Sequence, residues 1–319
     1  MQGGRCCPGF IGRPPCPMRI IFHHYKESPY AEKIRTLLGH KQMHWCSVTV
    51  PRVAPKPDLA ALTGGYRKVP VLQLGADVVC DTRLIAHEIE ALTPLPSLAV
   101  LPGNLGNVLE SWVDQHLFGR VVAFTFGSLA DFLPDELLAD RAALRGAPLD
   151  RTALKAAVPL ATQELHAQMT WLEHALADRP FFNGPHPACG DFTLYATLWF
   201  AANGRFDFSA YPRLTTWMHL MKAFGHGTST PMTAAEALEE AKTSEPRALP
   251  DSSADSLAAC GLRLGQQVRI TPELLGHGTD VVGELMTLNT ERTVVRHHHE
   301  HCGTVHVHLP RLGYRVCAA

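Results

Sequence analysis

A serine followed directly by proline, Ser28-Pro29, stands between an apolar run and a helical pattern, and no other feature constrains this chain as much. Proline at the first helical position gives up an N–H that has no partner there anyway, and the serine before it can cap the exposed N–H groups. The run over residues 19–25 is therefore a short strand that turns at Lys26 and Glu27 into a helix. Ala31, Ile34, Leu37 and Leu38 mark the buried face of that helix. A second strand follows over 45–50, and the proline-rich connector 51–57 leads to a brief helix over 58–62. Apolar runs over 69–74 and 78–80 flank the turn Gly75-Ala76-Asp77 and read as a strand pair. Asp81-Thr82 then caps a helix carrying Leu84, Ile85, Ile89 and Leu92. The order is βαβαββα, an α/β unit over residues 18–93.

Proline and glycine between 93 and 106 close that unit. Helical periods follow over 108–118, 129–144, 151–176, 192–202 and 214–223, so residues 100–235 form an all-α domain. The weakly patterned stretch 236–256 reads as a linker. Short strands with glycine turns over 267–271, 281–288, 293–296, 303–308 and 314–317 make residues 257–319 a small β-barrel-like or sheet module. A chain of 319 residues is long enough for this many cores. Residues 1–17 read as a disordered or extended tail, with Met18 expected as the biological start.

The formal net charge of -1 supplies no global attraction to nucleic acid or to an acidic membrane, and neither is expected as a partner. No window reaches the roughly 20 apolar residues that a spanning helix needs. Nine cysteines scattered over the whole chain form no disulfide framework and read as reduced thiols, which points to the cytoplasm. Cys46 and Cys80 fall on or beside strands and read as core residues.

The element order and three local motifs resemble the glutathione S-transferase superfamily over residues 18 to about 230. Ser28-Pro29-Tyr30-Ala31 sits between strand and helix, where the family places its active-site residue. Val69-Pro70 sits where the family has a cis-proline, and Asp81-Thr82 matches the pair that holds the γ-glutamyl end of glutathione. The fuller string GGYRKVPVLQLGADVVCDT is similar to a bacterial and fungal, serine-type subset. The resemblance implies a thioredoxin-like N-terminal domain, an all-α C-terminal domain, a homodimer, and a role in detoxification. It also implies glutathione as co-substrate, with Ser28, Pro29, Tyr30, Lys56, Lys68, Val69, Pro70, Asp81 and Thr82 around it. In that reading the backbone of Val69 pairs with the cysteinyl residue, Asp81 receives the ammonium, and Thr82 with its helix N-terminus donates to the α-carboxylate.

Ser28 is then the chemical centre. A thiol of pKa near 8.5 is only a few per cent ionised at neutral pH. A hydroxyl donating to a thiolate contributes about 1.5–3 kcal/mol and a helix N-terminus about 0.3–1 kcal/mol, together one to two pKa units. Tyr25, at the end of the first strand, is the alternative hydroxyl. Serine in place of cysteine removes the nucleophile for mixed disulfides and argues against thiol transfer. The resemblance places a small hydrophobic electrophile between the domains, where Trp112, His116 and Phe118, followed by Phe124 and Phe126, are expected to form walls. Ala188 stands where the family has a capping hydroxyl, a departure that removes one stabilising bond.

The common transferase plan leaves residues 257–319 unexplained. The histidines at 297, 298, 299, 301, 306 and 308 are the right type for a metal, but the expectation is no metal and a module packed on the transferase body. A second reading of the whole chain is a non-catalytic glutathione- or ligand-binding protein with a regulatory or scaffolding role. A third keeps the site and changes the reaction to glutathione-dependent isomerisation or dehalogenation.

Overall fold

A computed structural model describes residues 19–98, 105–273 and 279–319; the expectations for residues 1–17 and for Met18 lie outside them. The first unit runs β1 (Ile21–His24), α1 (Pro29–His40), β2 (His44–Thr49), α2 (Pro57–Thr63), β3 (Val71–Leu74), β4 (Asp77–Cys80) and α3 (Thr82–Leu92). Its sheet is the thioredoxin-like one, with β1 parallel to β2 and antiparallel to β3, and β3 antiparallel to β4. All four residues of β1 are buried, because helices cover both faces of the sheet. His23 is held neutral there: burial pushes its pKa down to about 4, against a 2.8 Å hydrogen bond between Nε2 and Gln73 Oε1.

The helical unit comprises α4 (Gly106–Trp112), a π-helical turn (Val113–Leu117), α5 (Phe118–Ser128), a 3₁₀ turn (Ala130–Phe132), α6 (Asp135–Arg145), α7 (Arg151–Leu176), α8 (Cys189–Asn203) and α9 (Pro212–Ala223). Two expectations need correction. The helix over 129–144 is interrupted, because Pro134 holds the chain extended on either side, with Leu133 at ψ 131° and Pro134 at ψ 142°. The helix over 108–118 contains the π turn, which shifts every later side chain around the axis. A core including Phe22, Leu38, Ile85, Leu117, Phe192, Leu198 and Trp217 joins this unit to the α1/α3 face of the sheet.

At the start of α8, Ala188 has the extended backbone of a capping residue but no oxygen to offer, and only the reciprocal half of a capping box remains, from the Ala188 N–H to Asp191 Oδ2 at 3.0 Å. Asp191 also accepts from Phe182 N–H and from the Trp217 indole. Ala188→Ser is expected to stabilise the protein by about 1 kcal/mol, roughly 2–4 °C in Tm. A thermal melt showing no gain or a loss would mean that the buried cap position rejects the hydroxyl.

After α9 the chain returns to the first unit. A strand absent from the sequence reading, β5 (Thr228–Pro231), pairs parallel with β2. The stretch 236–256, expected as a linker, is helical through α10 (Ala234–Thr243), whose apolar Ala237, Leu238 and Ala241 pack on the sheet. Then come α11 (Ala254–Cys260), β6 (Gln267–Pro272), β7 (Val281–Leu288), β8 (Arg292–His299), β9 (Gly303–Pro310) and β10 (Tyr314–Ala318). The last five strands form an antiparallel sheet that joins the first unit, since β9 lies parallel to β4 with Asp77 opposite His306 and Val79 opposite His308. One ten-stranded sheet results, in the order β10-β6-β7-β8-β9-β4-β3-β1-β2-β5. Its second core combines Leu59, Leu62 and Tyr66 with Val268, Leu285, Val295 and Val307.

The join is ionic as well as apolar. Asp77, fully buried, accepts from His308 Nε2 at 2.7 Å and from the Arg247 backbone N–H at 2.8 Å. Glu88 on α3 receives Arg247 and Arg292. Burial alone would raise the pKa of both acids, but the bonds from His308 and Arg247 to Asp77, and from Arg292 and Arg247 to Glu88, outweigh it and hold both below the usual carboxylate range. Both are harder to protonate in the fold than unfolded, so their contribution is complete above the ordinary carboxylate pKa of about 4 and is lost as pH falls through the lower folded values. Acid below about pH 4 is therefore expected to release β9 from β4 before the rest of the sheet opens. Amide exchange of β9, followed downward from about pH 6, tests this; protection that outlasts that of β1 and β3 contradicts it.

Candidate functional site

The turn after β1 is drawn tight by Arg35, which donates from one guanidinium to Tyr25 O at 3.2 Å and Lys26 O at 2.9 Å. Glu32 holds that guanidinium in place at 2.7 Å. Ser28 follows as the cap of α1, with Oγ accepting from Ala31 N–H at 3.2 Å. Acting as acceptor there, the hydroxyl keeps its own proton to donate. Ser28 is only 2% exposed, whereas Tyr25 and Tyr30 are half-buried. Both tyrosine hydroxyls are engaged: Tyr30 donates to Asp114 Oδ1 at 3.5 Å, and Tyr25 accepts from Arg141 Nη2 at 3.1 Å.

The peptide between Val69 and Pro70 is cis and leads straight into β3, with Lys68 and Val69 half-buried beside it. Burial lowers the pKa of Lys68, and the charge of Asp81 opposes that shift. Asp81 caps α3 in a left-handed backbone conformation, φ 73°, that is uncommon outside glycine. Its Oδ1 accepts from Arg83 N–H at 3.0 Å and its Oδ2 from the Tyr314 hydroxyl at 2.9 Å. Thr82 is buried, and its Oγ1 accepts from Lys33 Nζ at 3.1 Å, which leaves the hydroxyl proton for another partner.

Lys56 starts α2 and lies 5.5 Å above the Tyr25 ring. Burial lowers its pKa to about 8, helped by the nearby Arg141 and Arg67 and opposed by Asp140. Asp140 pairs with both arginines and accepts from Ala54 N–H at 2.9 Å. Three cations thus surround one carboxylate, an arrangement with positive charge left for an anion. Arg67, Asp140 and Arg141 were not identified from sequence. Arg141 comes from α6, 116 residues from the tyrosine it meets, and no local pattern announces such a contact.

On the opposite side, Pro29, Tyr30 and Lys33 face Phe118, Thr193, Ala196 and Thr197 across a narrow cleft of about 10 Å³. Phe118 stands with its ring 4.8 Å from that of Tyr30. The structure does not bring Trp112 or His116 into that lining: Trp112 packs against the core and His116 is exposed on the π turn. Phe124 is buried against Phe206 and Phe126 meets Phe200. The π turn instead presents Asp114, another residue missed from sequence. Its pKa is raised to about 6, mainly by burial, with Lys33 pulling the other way. Tyr30 is correspondingly held protonated, by burial and by Asp114.

Of the C-terminal histidines, His306 and His308 are buried against β4, His297 Nε2 lies 3.1 Å from Ala61 O, and His298 and His301 are exposed. Among the described residues no group of three or more histidine, cysteine, aspartate or glutamate side chains is placed to hold a metal, and no helix is long and apolar enough to cross a membrane.

Two family models match the chain: the glutathione S-transferase N-terminal domain over residues 22–97 and the glutathione S-transferase C-terminal domain over residues 155–219. A GST-like protein from Pseudomonas syringae is 33% identical, with 95% of this chain and all of that one covered and a TM-score of 0.75. That share of the chain cannot be reached without most of the C-terminal strands. A glutathione S-transferase from Rhodospirillum rubrum F11 (20% identical) and FzlA from C. crescentus (21% identical) each cover 64% of this chain and 88% of their own, at TM-score 0.50, and speak for the fold alone. No curated protein matches.

Proposed function

The chain belongs to the glutathione S-transferase superfamily, and from that premise we propose that it binds glutathione, stabilises the thiolate with the Ser28 hydroxyl, and conjugates it to a small hydrophobic electrophile. The observation that carries this reading is the state of the three hydroxyls. Ser28 Oγ accepts a helix N–H and keeps its proton to donate at the N-terminus of α1, whereas Tyr30 directs its proton to Asp114, and Tyr25, which likewise accepts and keeps its proton, stands among the cations of Arg141 and Lys56. The N-terminus of α1 adds a favourable field for negative charge on the same sulfur.

The remaining groups suit the ends of the peptide. Asp81, beside the N-terminus of α3, offers a carboxylate to the ammonium, and Thr82 offers a proton to the neighbouring carboxylate. Lys56, Arg67 and Arg141 supply the excess positive charge that the glycyl carboxylate needs. The electrophile then sits in the cleft between Tyr30 and Phe118. The chemistry asks little more than holding it in line with the sulfur. Detoxification in the cytoplasm, by a homodimer, completes the reading. The six free cysteines among the described residues fit a reducing compartment.

The deciding experiment is turnover of a chlorinated aromatic or an isothiocyanate with glutathione, together with sedimentation for the dimer. Conjugation supports the transferase. Binding without turnover favours the second reading, a glutathione- or ligand-binding protein. One observation speaks for that alternative: the cleft, at about 10 Å³, is far smaller than the roughly 300–1,000 Å³ of ordinary ligand pockets and must widen to admit a substrate. Elimination of halide or isomerisation of the product, in place of a stable conjugate, selects the third.

A further inference from the structure

The acid expected to receive the ammonium of glutathione is held by a residue from the far end of the chain. Tyr314, on β10, donates its hydroxyl to Asp81 Oδ2 at 2.9 Å, across 233 residues of sequence. The tyrosine is 4% exposed and packs in the core that the C-terminal strands share with α2. Tyr66, 3% exposed, lies in the same core, and burial together with the charge of Asp81 raises the pKa of both phenols, so the two tyrosines flank the acid on its buried side.

The approach of Tyr66 is built into the loop before it. Gly65 has φ +124°, and a Cβ at that position would lie 2.3 Å from Asp280 O, so only glycine lets this loop lie against the C-terminal sheet. The other oxygen of Asp81 accepts from Arg83 N–H, which fixes the carboxylate at both ends while the residue stays partly exposed. A carboxylate has about four lone-pair sites, so two acceptors' worth of capacity remains for a ligand. The left-handed backbone of Asp81 is a conformation that persists where its surroundings over-determine it, and the bonds from Arg83 and Tyr314 do that.

We propose that Tyr314 is a positioning residue of the glutathione site, orienting the Asp81 carboxylate toward the γ-glutamyl ammonium, so that the C-terminal sheet is part of the binding site and not an appendage. The proposal rests on the reading of the site as a glutathione site. It also gives the C-terminal strands a function that docking alone does not.

The test uses the full-length chain and two ligands by titration calorimetry. Glutathione is compared with glutaryl-cysteinyl-glycine, which keeps the carboxylate and lacks only the ammonium. Tyr314→Phe keeps the ring and deletes the hydroxyl, and Arg315→Gln, an exposed neighbour on the same strand, serves as control. Tyr314→Phe is expected to weaken glutathione about tenfold, the loss of one hydrogen bond to a charged group, and to leave the glutaryl analogue nearly unchanged, so the preference for the ammonium collapses. Arg315→Gln should bind both ligands as the parent does. Equal weakening of both ligands by Tyr314→Phe would reduce Tyr314 to a structural role and overturn the proposal, as would an unchanged preference. If the phenylalanine variant does not fold, Tyr66→Phe alters the pocket that seats Tyr314 against Asp81 and must show the same selective loss. A parent protein that binds neither ligand overturns the glutathione reading itself, a result separate from either outcome in the variants.

Discussion

Ser28→Ala is expected to slow conjugation by about 10- to 100-fold at neutral pH and to have little effect at alkaline pH. The reason is the sign of the titration. In the proposed mechanism the hydroxyl donates to the thiolate and not to the thiol, so it lowers the pKa of the bound sulfur; deleting it should raise that pKa by one to two units at about 1.4 kcal/mol per unit. Below the raised pKa the variant has less thiolate and reacts slowly, and above it both proteins are fully ionised and converge. The pH–rate profile therefore moves to higher pH without losing its plateau. Ser28 also caps α1, so the variant is expected to lose about 1 kcal/mol of stability. The two roles separate cleanly. A variant that melts lower but keeps its pH–rate profile would show that Ser28 caps the helix and does nothing to the sulfur. Ser28→Thr, which keeps cap and donor, should recover part of the rate at neutral pH.

The largest effect on stability is expected at Lys33, where α1 meets α4. Lys33 and Glu110 are 1% and 2% exposed and form an ion pair, with Thr82 also accepting from the ammonium and Thr193 donating to the carboxylate at 3.4 Å. Burial alone would lower the pKa of Lys33, but the charges of Glu110 and Asp114 more than reverse that and raise it. Lys33→Met leaves Glu110 in the interior without its cation, a change that costs about 3–5 kcal/mol, or roughly 10 °C in Tm. A buried pair replaced on both sides is often close to neutral, so Lys33→Met combined with Glu110→Leu should recover most of the loss. Two additive losses in the double variant would mean that the cost came from packing and not from a stranded charge. Because the same ammonium holds Thr82, the single variant is also expected to weaken glutathione binding, which calorimetry reads independently of the melt.

Reading these sites from sequence worked wherever the chemistry is local. Ser28-Pro29, Val69-Pro70 and Asp81-Thr82 each announce a helix start or a strand start within two residues, and the structure has α1, β3 and α3 beginning there. Local periodicity likewise marked α7 and the five C-terminal strands, because alternation and helical spacing are properties of a short window. Reading failed where one residue changes the phase. The π turn over Val113–Leu117 rotates the helix, so Trp112, His116 and Phe118 do not share a wall and Asp114 comes to face Tyr30. Pro134 interrupts the next helix for a comparable reason.

The sequence by itself determined the βαβαββα unit, the helical domain, the existence of a C-terminal β module and the family to which the first two belong. It also placed Ser28 at a helix start, since capping depends on neighbours along the chain. Only the tertiary structure decided what that module is attached to. The parallel pairing of β9 with β4, the bonds of Arg247 and His308 to Asp77, and the Tyr314 hydroxyl on Asp81 each join residues more than 150 positions apart. Strand alternation says which face of a strand is buried, and it carries no information about which edge receives it. The partner is chosen by shape and by the need to satisfy buried charge, and both exist only once the chain has folded.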